Sequence, residues 1–566
     1  MKVYLAQQNY HIGNFTQNRD KILSAVQEAR KSGADLVLFS ELSVCGYPPR
    51  DFLEFEDFIM EAEATVRDIA AHSNDIGIII GAPTRNSKKE GKDLFNSALL
   101  LYNGKVHGEV HKTLLPTYDV FDEYRYFEPA FDWNVIDFKG TKIALTICED
   151  IWNLGDNPLY RICPMDELMK QSPDLMINIS ASPFDHDHDN DRKNVIRLNV
   201  MKYKLPMIYC NTVGSQTEIV FDGGSLVYDK EARLIHEMNH FEEDTYMVDL
   251  NILADKSISG DVTYKVDPSD NVTSEAISII PYLTQSDRIA KIREALVLGI
   301  KDYFKKMGFN KAILGSSGGI DSAVALTLAV EALGPENVTA VLMPSAFSSN
   351  HSVDDAVSLS KNLGTPYHII PIESVYDSFL DSLDPLFAGT PFGIAEENIQ
   401  SRSRGNILMA IANKFGFVLL NTSNKSELAT GYGTLYGDMA GGISILGDLY
   451  KVQVYALADH INQSGIIIPK HIIDKAPSAE LRPGQKDSDS LPDYSVLDAI
   501  LYLYIEKRMG PAEIIAKGYD EPLVRRVLKL VNTNEYKRNQ FCPIIRVSPK
   551  AFGIGRRVPI VAKYLS

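Results

Sequence analysis

The sequence predicts an α/β protein built in two parts, and three observations carry that prediction. Short apolar runs alternate with stretches of helical spacing along most of the chain. A polar, aperiodic stretch from Ala254 to Ser278, ADKSISGDVTYKVDPSDNVTSEAIS, separates two such series. Lys311 to Leu328, KAILGSSGGIDSAVALTL, reads as a strand, a glycine turn and a helix. The expected division is a first domain over 1–252, a linker over 253–281 and a second domain over 282–566.

In the first part, Val3-Tyr4-Leu5-Ala6 opens as a strand. Asn18 to Lys31 places Ile22, Val26 and Ala29 at helical spacing and ends near Gly33. Leu36-Val37-Leu38-Phe39 is a second strand and leads at once to Ser40-Glu41. Ile78-Ile79-Ile80 is a strand core bounded by Gly77 and Gly81. Two hairpins are expected next, Ser97 to Leu101 turning at Asn103-Gly104 and Asn134 to Phe138 turning at Lys139-Gly140. Ile143 to Ile147 then delivers Cys148, and Leu175 to Asn178 delivers Ser180 and Ser182. Strands that each end on a polar or reactive residue are the pattern of an α/β active site.

Glu41, Lys112 and Cys148 suit nucleophilic amide hydrolysis. A thiolate attacks the carbonyl, a carboxylate takes the thiol proton and passes it to leaving ammonia, and a lysine stabilises the oxyanion. Alone, each residue is ordinary: a cysteine after a strand is most often a small core residue, and a single Glu or Lys a solvated charge. The flanking segments single them out. FSELSVCGYPPRDFL, HKTLLPTYDVFDE and ICEDIW resemble the nitrilase superfamily, and more narrowly the glutaminase domain of glutamine-dependent NAD synthetases. The resemblance implies an α-β-β-α sandwich, Glu41 as general base, Lys112 as oxyanion stabiliser and Cys148 as nucleophile. It also implies glutamine contacts at Tyr118 and Ser182. Six residues after that serine the family usually has Lys or Arg, whereas this chain has His188. His188 is therefore expected to take that place against glutamine, with Arg192 as an alternative.

Two metal-like patterns are set aside. Asp185 to Asp191 carries His186, His188 and four aspartates, but the EF-hand order fails at Asn190 and Ile196, so a polar loop leading a helix is expected. His236-Glu237-Met238-Asn239-His240 matches H-E-x-x-H, which needs a helix for zinc. Its neighbours read instead as hairpin strands about Asp229-Lys230.

The second part begins near Tyr282 with a helix from Ser286 to Met307. Ala312-Ile313-Leu314 is its first strand, and Gly315 to Gly319 bends the backbone where a Cβ would be strained. The free N–H groups at the following helix start form an anion site. G-x-x-x-x-G-K-[ST] is absent, so a P-loop is not expected. Gly315 to Gly319 also fits G-x-S-x-G, the hydrolase nucleophile elbow. The hexapeptide Ser317-Gly318-Gly319-Ile320-Asp321-Ser322 instead resembles the pyrophosphate loop of the ATP pyrophosphatases, a group that includes NAD, GMP and asparagine synthetases. That resemblance implies an adenine-nucleotide α-hydrolase-like fold. It implies ATP contacts from Gly315 and Ser316 through Ser322, and an acidic residue holding Mg²⁺.

The rhythm continues with Val338 to Met343, Tyr367 to Ile372 and Val418 to Leu420 as strands and Ser352 to Leu363 as a helix. This is a doubly wound parallel sheet with ligands at the strand C-termini. GIAEENIQSRSRGNILM, NTSNKSE, YGDMAGGISILGDLYK and NEYKRNQFCP resemble the NAD synthetases in order. They imply Asn398, Glu427, Asp438 and Lys537 as deamido-NAD(+) contacts, Thr422 and Lys451 as further ATP contacts, and Asp321 and Glu427 as the metal ligands. KAPSAELRPGQKDSDSLPDY is a long polar loop suited to closing over the site.

Composition bounds the rest. The net charge of −17 argues against duplex DNA or an anionic membrane as the main partner. No apolar run approaches a membrane span and no signal-peptide core is seen. Five cysteines without CxxC suggest reduced thiols and a cytoplasmic enzyme. The resembled family makes NAD(+) from deamido-NAD(+), Mg²⁺-ATP and L-glutamine through an acyl-adenylate, releasing AMP, diphosphate and glutamate, and forms homo-oligomers. A sheltered route would keep the ammonia unprotonated between two sites on one chain. Three competing readings are a carbon–nitrogen hydrolase with a nucleotide-binding regulator, an esterase using Ser317, and another ATP-dependent amidotransferase.

Overall fold

The computed structural model describes residues 1–154, 159–254, 279–478, 480–482, 484–485, 487–489 and 491–565, and all counts are of these residues. Nearly all of the expected linker, and the His188 side chain, lie outside them. The chain forms two compact units, Met1–Asn271 and Val272–Ser566.

Strands of the first unit are β1 (Lys2–Gln7), β2 (Leu36–Leu38), β3 (Gly77–Arg85), β4 (Leu94–Tyr102), β5 (Lys105–His111), β6 (Ile136–Phe138) and β7 (Thr141–Ile147). They continue with β8 (Leu175–Ser180), β9 (Met207–Asn211), β10 (Val213–Gln216), β11 (Ile219–Asp222), β12 (Leu226–Tyr228), β13 (Leu234–Glu237) and β14 (Asp244–Asp249). Two six-stranded sheets result, ordered β14-β1-β2-β3-β4-β5 and β13-β12-β9-β8-β7-β6, with β10-β11 as a separate hairpin.

Period-two alternation explains the layering. Val3, Leu5, Leu36, Leu38, Ile79 and Leu100 turn to the same core as Ile143, Leu145, Ile147, Ile177, Ile179 and Ile208 of the other sheet. The intervening residues Tyr4, Ala6, Val37, Ile78 and Ile80 pack on α1 (Phe15–Lys31) and α2 (Glu56–Ala71). On the second sheet Ala144, Met176, Met207 and Tyr209 pack on α3 (Pro164–Met169) and α4 (His188–Tyr203). The order helix, sheet, sheet, helix is the expected sandwich. Truncating one of its fully buried isoleucines, such as Ile177, to alanine costs about 2–5 kcal/mol. The acidic tract departs from expectation in one respect. Its second half is already helical, because α4 starts at His188.

Next come α5 (Leu250–Ala254) and, in the second unit, α6 (Ile279–Leu283) and α7 (Ser286–Met307). There follow β15 (Ala312–Gly315), α8 (Ile320–Leu333), β16 (Val338–Leu342), α9 (Asn350–Leu363), β17 (Tyr367–Ile369), α10 (Glu373–Phe387) and α11 (Ile394–Phe415). β18 (Val418–Asn421), α12 (Lys425–Thr430), β19 (Ile443–Ser444) and α13 (Lys451–Ile461) complete the sheet region. The strands pair in parallel in the order β17-β16-β15-β18-β19. α11 covers the face bearing Ile313, Val341 and Leu419 through Leu408 and Ala412, while α8 packs on β15 and β16. The winding reverses between β15 and β18, which opens a crevice at their C-terminal ends.

Candidate active sites

In the first unit, Cys148 follows β7 directly and starts a 3-10 turn, Cys148–Ile151. Its φ is +43°, a left-handed value that a residue with a Cβ rarely takes. Glu41 and Lys112 follow β2 and β5 and are wholly shut from solvent. The Lys112 Nζ donates to Glu41 Oε1 at 2.7 Å and to Glu123 Oε1 at 2.8 Å. The Asn96 amide donates to Glu41 Oε1 at 2.7 Å, and the Ala181 N–H donates to Oε2 at 2.9 Å. Tyr47 donates its hydroxyl to Glu123 at 2.7 Å. Gly81 lets β3 press against this corner, because a Cβ there would lie 2.2 Å from the Leu42 nitrogen.

The charges set the resting protonation. Burial, and then the Glu41 charge, push the Cys148 thiol well above its ordinary range, against the pull of Lys112. The cysteine therefore rests as a thiol. Burial works to neutralise Lys112, but Glu123 and Glu41 outweigh it and hold the ammonium well above the usual lysine range. Burial lifts Glu123 to about 7. Asp150 couples the two halves of the site. It accepts from the Thr113 and Leu114 N–H groups at 3.0 and 2.8 Å and from the Ile147 N–H at 3.1 Å.

Tyr118 donates its hydroxyl to both oxygens of Glu149, at 3.0 Å each, and Tyr160 donates to Oε1 at 3.1 Å. Tyr118 is thus bonded to the residue next to Cys148. Ser182 is buried beyond β8, with its N–H donated to Asn211 Oδ1 at 2.9 Å. Arg192 is committed to Asp222, donating at 2.9 and 2.6 Å, so it does not serve as a substitute grip. Glu123, Asn96, Asp150 and Glu149 were not singled out in the sequence, although Glu123 closes HKTLLPTYDVFDE and ICEDIW contains two of the others.

In the second unit the crevice is a cavity of about 600 Å³. Gly315, Ser316, Ser317, Gly319, Ile320, Asp321 and Ser322 line it. Gly318 does not. Its φ of +76° turns the loop, and a Cβ would meet the Ser352 carbonyl oxygen at 2.2 Å. Ser322 Oγ accepts from the Ser317 N–H at 3.2 Å, and the Gly319 N–H donates to Ser317 Oγ at 3.2 Å. In the nucleophile-elbow reading Ser317 would carry the strained φ beside a histidine; here the strain is on Gly318 and no described histidine lines the cavity.

Asn398, Thr422, Glu427, Asp438, Lys451 and Lys537 all line the same cavity. Lys451 Nζ bonds Asp321 and lies 3.9 Å from Glu427, and Asn424 donates to Asp321 at 2.8 Å. Thr434 ties Asp438 and Asn398 together. Its N–H donates to Asp438 at 2.6 Å and its hydroxyl to Asn398 at 2.8 Å. Lys537 donates to the Gly431 and Gly433 carbonyls at 2.7 and 2.8 Å. The polar loop after Lys475 reaches the wall too, where Lys475 and Ser352 donate to Glu480 at 2.7 and 2.9 Å.

Burial, and then the neighbouring Asp321, lift the Glu427 carboxyl to about 8. Burial also raises Asp487. Asp321 and Glu427 offer hard carboxylate oxygens of the kind magnesium takes, although among the described residues no cluster of three ligating groups forms. The H-E-x-x-H pair does not act together. His240 bonds Asp222 at 3.2 Å and Glu237 at 2.7 Å, whereas His236 stacks on Tyr246 with ring centres 3.6 Å apart. All five cysteines are free. No described helix is long and apolar enough to cross a membrane.

Two family models match, carbon-nitrogen hydrolase over residues 2–253 and NAD synthase over 292–541. A glutamine-dependent NAD(+) synthetase of Synechocystis sp. is 42% identical, over 99% of each chain. One from Thermotoga maritima is 40% identical, over 100% of this chain and 99% of its own. The solved glutamine-dependent NAD(+) synthetase of Acinetobacter baumannii, in complex with ADP, is 36% identical at a TM-score of 0.74, covering 99% of this chain and 98% of its own.

Proposed function

The chain belongs to the glutamine-dependent NAD(+) synthetases, and from that premise we propose how its residues divide the work. The enzyme forms NAD(+) with ATP and glutamine. Residues 1–252 take ammonia from glutamine, and residues 282–566 use it to amidate deamido-NAD(+).

In the first half, the Cys148 sulfur attacks the glutamine carboxamide carbon while its proton passes to Glu41. The raised thiol supports this order, since a thiol at rest needs its base at the moment of attack. Lys112, fixed as a cation by Glu41 and Glu123, faces the developing oxyanion. Protonated Glu41 then gives its proton to the leaving nitrogen, releasing ammonia and leaving a thioester. Water adds with Glu41 again as base, and glutamate departs. Tyr118, Ser182 and His188 hold the substrate. The buried Lys112 shared by two carboxylates beside a left-handed Cys148 is the observation that carries this reading.

In the second half, the loop from Ser316 to Ser322 receives the ATP phosphates with Thr422 and Lys451, while Asn398, Glu427, Asp438 and Lys537 receive deamido-NAD(+). Asp321 and Glu427 would hold Mg²⁺, which supplies neutralisation of phosphate charge. Lys451 orients Asp321 through its bond and holds its charge 3.9 Å from Glu427. Adenylylation turns a poor acyl donor into one that ammonia displaces as AMP. The enzyme is cytoplasmic and a homo-oligomer in this reading.

The test is NAD(+) formation from deamido-NAD(+) and Mg²⁺-ATP, with glutamine or with ammonium, in wild type and Cys148→Ala. The variant is expected to lose the glutamine-driven reaction and keep the ammonium-driven one. A variant that loses both, or a wild type that hydrolyses amides but makes no NAD(+), would overturn the division.

A further inference from the structure

Arg404 on α11 lines the cavity, and among the described residues no carboxylate pairs with it. The cavity's lysines are served. Lys451 bonds Asp321, Lys475 bonds Glu480 at 2.7 Å, and Lys537 donates to two carbonyls. Arg402, two residues earlier, is exposed and donates its Nε to the Leu435 carbonyl at 3.2 Å. Arg404 is part-buried in the cavity wall. Its Nε donates to the Met343 carbonyl just past β16 at 3.0 Å, and among the described residues no carboxylate comes within ion-pairing distance. Asp438 and Glu480 reach it only through space, and burial outweighs them, pushing the guanidinium below its ordinary range.

An unpaired buried charge is costly, and a chain retains one where a ligand supplies the partner. The guanidinium is a planar fork matched to a carboxylate or a phosphate. Its position is fixed from two sides. Met343 abuts the phosphate loop, since a Cβ on Gly315 would lie 3.3 Å from the Met343 methyl group. The next residue, Gly405, presses the helix onto residues 436 and 437, with the Gly437 and Tyr436 carbonyls 3.1 and 3.2 Å from a Cβ built there. Arg404 therefore sits where the phosphate loop meets the wall carrying Asp438.

Resting on the proposed function, we propose that Arg404 binds an oxyanion of the two reacting groups, the nicotinate carboxylate of deamido-NAD(+) or the α-phosphate of ATP. It lowers their repulsion during adenylylation. In that step a carboxylate oxygen bonds to the α-phosphorus. The bond from that phosphorus to the bridging oxygen breaks, and diphosphate leaves with the electron pair.

The test uses the full chain with Arg404→Gln and Arg404→Lys. The readouts are deamido-NAD(+)-dependent exchange of labelled diphosphate into ATP, and calorimetric affinities for ATP, deamido-NAD(+) and NAD(+). Arg404→Gln is expected to slow exchange by about 100-fold, with Arg404→Lys recovering about tenfold of that. A roughly tenfold loss of affinity confined to deamido-NAD(+) identifies the carboxylate, and one confined to ATP identifies the phosphate. NAD(+), whose carboxamide is neutral, should bind as before. Exchange within threefold of wild type would overturn the inference. So would equal weakening of NAD(+) and deamido-NAD(+), which marks a residue that only shapes the wall. Circular dichroism and the unfolding midpoint check the fold. If Arg404→Gln does not fold, Arg404→Lys decides by the same exchange and binding criteria. A wild type without exchange would instead sink the proposed function itself.

Discussion

In the first unit one lysine is shared by two carboxylates in a corner closed to water, whereas in the second Lys451 links Asp321 and Glu427 on the wall of a 600 Å³ cavity. Glu41, Lys112, Glu123 and Asn96 form a fixed network in which each bond is made before any substrate arrives. The second site is held by ion pairs among its own side chains. Lys451 lies beside the two carboxylates proposed for Mg²⁺, and Glu480 accepts from Lys475 and Ser352 on the same wall. The difference matches the chemistry. Amide hydrolysis by a thiol needs preset dipoles and few partners. Joining two anionic substrates needs a roomy site whose charges exchange partners as ligands enter.

The largest effect that could break this comparison is at Lys112. Lys112→Met leaves Glu41 and Glu123 as facing carboxylates without their cation, a loss that typically costs about 3–5 kcal/mol in a buried pair. Glutamine-driven NAD(+) synthesis is expected to fall by about 10³-fold, with the oxyanion donor also gone. Ammonium-driven synthesis should stay within a few-fold, measured on the same preparation. If both fall together, the two sites are not separately organised and the contrast fails.

A smaller effect sharpens the exchangeable character of the second site. Glu427 stands at about 8 against an ordinary 4.5, through burial and then Asp321. The folded chain holds this proton longer than the unfolded chain does. Its contribution to stability is thus complete below pH 4.5 and is lost as pH rises through about 8. A cation bound there displaces the proton, so apparent Mg²⁺-ATP affinity should rise by about fivefold from pH 7 to 8 and level off above about pH 9. Calorimetry in buffers of different ionisation enthalpy should find protons released at pH 7. Glu427→Gln should remove both the slope and the release. A flat profile in the wild type would mean that Glu427 is not exchanged for a metal.

The fold was legible because it is written in short-range pattern. Val3 and Leu5 against Tyr4 and Ala6 set the two faces of β1, and the burial follows that alternation. The loop from Ser317 to Ser322 was legible because Gly318 must turn with a positive φ, a local requirement. What stayed hidden depends on contacts distant in the chain. Glu123 becomes part of the cysteine site only because Lys112 folds back to it and Tyr47 donates across to it. Arg404 looks like any polar helix residue in SRSRGN until its lower exposure, beside the phosphate-loop neighbour Met343, sets it apart from exposed Arg402. Arg192, a plausible glutamine grip by position, is taken by Asp222 from a strand thirty residues on. No local pattern announces such a pairing.

The smallest expected effect tests whether the first site's fixed network extends to its mouth. Tyr118 is exposed at its ring, yet its hydroxyl donates to both Glu149 oxygens beside Cys148. Tyr160 donates to the same carboxylate, so Tyr118→Phe removes one donor and leaves another. A single such hydrogen bond is worth about 0.5–1.5 kcal/mol. The expected outcome is a rise of roughly three- to tenfold in KM for glutamine, with kcat nearly unchanged and ammonium-driven synthesis untouched. A Tyr that only covers the entrance acts on binding, because the nucleophile and its base keep their own bonds. Should kcat fall tenfold at constant KM, Glu149 must be transmitting the loss to the Cys148 turn. The preset network would then reach from the buried lysine out to the solvent-facing tyrosine.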